Sequence, residues 1–82
     1  MPTGSIAFVR EQGVDFAVVC VPDRVVEGSV EREGTYLLWT RELRLPVALM
    51  GADRHRVYGH KSIVDFVSSI DPARLPWREF GM

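Results

Sequence analysis

The run Val14-Asp15-Phe16-Ala17-Val18-Val19-Cys20-Val21, closed by Pro22, decides how this chain folds. It is rich in β-branched residues and almost wholly apolar after Asp15. Successive side chains of a strand point to opposite faces, so a run that is apolar at both parities asks for cover on both sides. Pro22 ends the run because it has no N–H to donate to a ladder.

Upstream, Ser5 to Arg10 reads as a shorter strand, with Ile6 and Phe8 pointing one way and Ala7 and Val9 the other. Glu11-Gln12-Gly13 is a turn signal in which Gly13 is free to take positive φ, and the two strands form an antiparallel hairpin. Downstream, Asp23 to Gly34 is polar, contains Gly28 and Gly34, and reads as a loop with one helical turn over 23–27. Ser29 is a candidate N-cap for a helix that strengthens after Gly34 and ends near Arg44. In that helix Tyr36, Trp39 and Leu43 recur at i, i+3 and i+7, Leu38 and Leu45 add a flank, and Arg41, Glu42 and Arg44 take the wet side. Pro46 opens a third strand, 47–50, and a turn over 51–54 leads back through a fourth, 55–58, broken by Gly59. His60 or Ser62 caps a final helix, 61–70, whose Ile63, Val64, Phe66, Val67 and Ile70 form one apolar stripe. Asp71-Pro72 ends that helix, since a residue before proline avoids the α region. The tail from Ala73 to Met82 carries Leu75, Trp77 and Phe80, enough apolar area to dock rather than hang free.

The expected fold is therefore α+β, a single domain over residues 1–82 in the order ββαββα. It has a mostly antiparallel four-stranded sheet with two helices on one face. Val18, Leu38, Val47, Leu49, Phe66 and Val67 are its expected core.

Composition narrows the classes of function. The chain has 82 residues, 46% of them hydrophobic and 26% charged, the mix of an ordinary globular domain with one core. The formal net charge of −1 leaves no global field to attract nucleic acid or an anionic membrane. No apolar run approaches the roughly 20 residues that span a bilayer, and Met1 to Ser5 lacks the basic start of a signal peptide. A single cysteine, Cys20, cannot form an intramolecular disulfide, which fits a reducing bacterial cytoplasm. Without a covalent staple, a chain this short packs very well or shares apolar surface with a second copy.

No motif specifies a reaction, and no catalytic residue, metal ligand set or cofactor is expected. Cys20 lies inside the most apolar strand, where a thiol behaves as a small inert hydrophobe. His55 and His60 have opposite strand parity, so with Asp53 they make a poor metal set. The carboxylates show no catalytic spacing, and Asp15, an acid entering an apolar strand, is read as flanking the hairpin in water. Charge is unevenly spread. Arg41 to Lys61 holds five basic residues against two acids, and Asp23 to Glu33 holds four acids against two arginines. On a regular fourth strand Arg54 and Arg56 share a face with Tyr58, and with Lys61 they form a candidate site for phosphate or stacked bases. A solvated edge whose charges discourage aggregation explains the same residues.

Two resemblances accompany these readings. Leu45-Pro46-Val47-Ala48-Leu49-Met50, Val57-Tyr58-Gly59-His60 and Ile63-Val64-Asp65-Phe66-Val67 resemble the second half of a thioredoxin- or glutaredoxin-like domain over residues 45–70. In that family the proline is cis and lies against a redox cysteine; this chain has no Cys-x-x-Cys. From Val14 to Phe80 the chain is also similar to small uncharacterised bacterial proteins with a Pro-Val-x-Leu-Met strand, a Tyr-x-Gly hairpin end and a Pro-Trp tail, a resemblance that implies no activity. The leading expectation is a non-enzymatic, self-associating protein-interaction module, a homodimer that also binds a protein partner. A small nucleic-acid or phosphate-ligand binder using Arg54, Arg56, Tyr58 and Lys61 comes second. A degenerate thioredoxin-like protein is third.

Overall fold

The computed structural model describes residues 3–79. Ser5–Glu11 (β1) and Val14–Val21 (β2) form the expected hairpin, with Glu11 facing Val14 across the turn. Gln12 and Gly13 both take positive φ, 50° and 80°, the two-residue turn whose twist matches the paired strands. Asp15 faces Arg10 across the ladder and accepts two hydrogen bonds from its guanidinium, at 2.9 and 3.0 Å.

Pro22 stops β2, and the chain enters Asp23–Glu27 (α1) and, after Gly28, Ser29–Leu43 (α2). Helix α2 starts well before Gly34, so the stretch 29–34, expected as loop, is helix. Ser29 is its first residue rather than its cap, Gly28 standing at the cap without a side-chain hydrogen bond. Once the packed half around Tyr36, Trp39 and Leu43 is helical, extending it backwards adds a hydrogen bond per residue without a new nucleus. That offsets the roughly 1 kcal/mol cost of Gly34 in a helix.

Val47–Gly51 (β3) then lies parallel to β2, from Ala17 opposite Val47 to Val21 opposite Gly51. Val57–Gly59 (β4) returns antiparallel to β3, and Lys61–Ser68 (α3) follows. Gly59 ends β4 and lets it close on β3, because a Cβ there would lie 2.8 Å from the Val47 carbonyl oxygen. After a 3₁₀ turn at Pro72–Arg74, Trp77–Glu79 (β5) pairs antiparallel with β1. The sheet has five strands in the order β4-β3-β2-β1-β5.

The class is α+β, and three details of the expectation are corrected. The described residues hold five strands rather than four, because the docked tail adds one: Trp77, Arg78 and Glu79 are too few to show a period of their own. The central pair β2–β3 is parallel, because a strand, a covering helix and a neighbouring strand connect by crossover. The two longer helices lie on opposite faces, not on one. Facing α1 and α2 are Ile6, Ala17, Val19, Val21, Val47 and Leu49, with Val25, Val26, Tyr36, Trp39 and Leu43 packed on them. Facing α3 are Ala7, Phe16, Val18, Ala48 and Met50, covered by Ile63, Val67, Leu75, Phe66 and Trp77. A β2 strand apolar at both parities receives cover on both sides.

Of the expected core, Val18, Val47, Leu49 and Val67 are buried. Phe66 is half-buried and packs edge-on against Phe16, with ring centroids 6.0 Å apart. Leu38 is a correction, at 52% exposure. At about 100° per residue it turns away from the line that Tyr36, Trp39 and Leu43 present to the sheet. Leu75 is buried and Trp77 half-buried, its indole N–H donating to the Pro72 carbonyl at 2.7 Å. Phe80 and Met82 of the expected docked tail lie outside the described residues, as do Met1 and Pro2.

Candidate functional site

The β3–β4 connection carries Arg54, His55 and Arg56, and it is a turn rather than the start of a strand. The strand expected over 55–58 begins at Val57, because His55 adopts a left-handed conformation with φ 58°. That breaks the alternation on which a shared face of Arg54, Arg56 and Tyr58 rested.

Arg54 is drawn to α1, where its Nη1 donates to both Glu27 oxygens at 2.8 Å. Asp23 holds the turn itself: the backbone N–H groups of Asp53 and Arg54 donate to Oδ1 at 3.1 and 3.2 Å. Gly51 makes this approach possible, since a Cβ there would collide with the Asp23 carboxylate. Tyr58 points to the α2 side. Its ring meets Tyr36 edge-on at 5.3 Å, the Arg32 guanidinium lies 4.6 Å from its centroid, and its hydroxyl donates to Glu33 at 2.7 Å. Hydrogen bonding to Glu33, reinforced by burial, raises the Tyr58 pKa above its usual value. Lys61 opens α3, on the other face of the sheet, and pairs with Asp65 at 2.9 Å. Arg56 is exposed on the turn, its carbonyl accepting from the Gly51 N–H. The four residues thus stand in separate settings: Arg54 on α1, Tyr58 under α2, Lys61 on α3 and Arg56 in solvent.

The carboxylates that organise this end, Asp23, Glu27 and Glu33, are three of the four acids that the sequence gathers between Asp23 and Glu33; what it did not show is that they hold the turn and Tyr58. The available signal was Pro22-Asp23 opening a helix at the carboxyl end of an apolar strand, followed by a glycine, Gly51, at the end of the next. Together these mark a side chain seated against backbone.

At the opposite end of the sheet, Val14, Tyr36, Thr40, Pro46, His60, Ser62 and Ile63 line an open cleft of about 530 Å³. A smaller one of about 250 Å³ shares Val14, Ser62 and Ile63 and continues past Phe16 and Phe66. His60 Nδ1 lies 2.9 Å from Ser62 Oγ and accepts from the Ser62 N–H at 3.4 Å, the arrangement of a helix cap. Cys20 is buried within β2, and burial pushes its thiol pKa up, the opposite of what a nucleophilic thiolate needs. Among the described residues no three or more of His, Cys, Asp and Glu gather as a metal site, no helix is long and apolar enough to cross a membrane, and no peptide bond is cis, so Pro46 is trans.

Large apolar side chains stand exposed in two places, Phe8 and Val14 on the first hairpin and the outer side of α2. Val30 is 85% exposed, Leu37 51% and Leu38 52%, while Tyr36, Trp39 and Leu43 of the same helix pack on the sheet. No family model, curated protein or solved structure matches the chain.

Proposed function

We propose that the protein is a non-enzymatic, cytoplasmic interaction module that associates with itself. The observation that carries this reading is the apolar outer side of α2, where Val30, Leu37 and Leu38 are exposed on a helix whose opposite side already covers the sheet. Exposed apolar side chains on one side of a helix, in a small domain, favour a contact surface. A second observation supports an interaction role over phosphate binding. Arg54, Lys61 and Tyr58 are already engaged by Glu27, Asp65 and Glu33, and a phosphate would have to displace those partners.

Light scattering over a dilution series tests the reading. A dimer mass at high micromolar concentration, with a melting temperature that rises with concentration, is expected. A monomer mass and a concentration-independent melting temperature would overturn it. The phosphate-ligand reading through Arg54, Arg56, Tyr58 and Lys61 predicts instead that binding of a short oligonucleotide weakens steeply with salt, as counterions released from phosphates require.

A further inference from the structure

We draw no further inference here: the strongest candidate, the open cleft of about 530 Å³ between α2 and the start of α3, carries none, because His60 and Ser62 on its rim are held in the cap of α3, Thr40 donates to the Tyr36 carbonyl, and nothing in the structure shows what fills the space between its apolar walls.

Discussion

Helix α3 packs Ile63 and Val67 into the core within eight residues, whereas α2 runs for fifteen residues and buries none fully. The short helix is amphipathic, and its apolar stripe disappears against Phe16, Val18, Ala48 and Met50. The long helix holds the sheet through partly buried rings, Tyr36 and Trp39, and through the polar contacts of Arg32 and Glu33 with Tyr58, and it shows leucine and valine to the outside. A helix whose only task is to cover a sheet keeps its outer side polar. The difference teaches that one face of this sheet is closed within the chain and the other carries a helix that is apolar on two sides.

The largest effect that could break this comparison lies beneath α2. Leu49 is fully buried, so Leu49→Ala should cost about 2–5 kcal/mol. Leu38→Ala, in the same chain at a concentration where it is monomeric, should change stability by no more than about 0.5 kcal/mol. Urea denaturation measures both. Equal costs would mean that Leu38 belongs to the core and that α2 has no free side.

On the other face, Phe66→Ala removes a half-buried ring that packs edge-on against Phe16. The cost should be about 3 kcal/mol, the low end for a phenylalanine. An unshifted thermal transition would show that α3 does not close that face.

The smallest effect concerns pH. Because the fold raises the Tyr58 pKa, through the hydrogen bond to Glu33 first, the neutral phenol is the form the fold favours. The stability that this contact contributes is complete below the ordinary tyrosine value of 10.0 and is lost as pH rises through the higher folded value. Tyr58→Phe should flatten the alkaline limb of the melting temperature against pH and leave the acid limb in place. A variant as alkali-sensitive as the wild type would take Tyr58 out of the contact between α2 and the sheet.

Much of the fold was legible locally. The first hairpin followed from alternation and Gly13, the end of β2 from Pro22, and the start of α3 from the pair His60 and Ser62, of which His60 is the cap, its ring accepting from the Ser62 N–H. The candidate site was less legible. Placing Arg54, Arg56 and Tyr58 on one face assumed a regular strand, and the left-handed His55 breaks it; no pattern of residue types announces a positive φ at a histidine. The carboxylates that engage these groups, Glu27 and Glu33, lie 27 and 25 residues away in sequence from Arg54 and Tyr58. A pairing across such a separation exists only once α1 and α2 have been laid on the sheet.

The sequence by itself determined the α+β class, the strand that is apolar on both faces, and the helix stripe of Tyr36, Trp39 and Leu43, because each is written in a period of two or of 3.6 residues that local geometry obeys. Only the tertiary structure decided which face each helix covers, that β2 and β3 run parallel, that Trp77–Glu79 joins the sheet, and that Leu38 stays outside. Those outcomes depend on the hand of the crossover and on long-range burial. A period fixes the direction of a side chain relative to its own helix or strand, and the rest of the molecule settles what that direction meets.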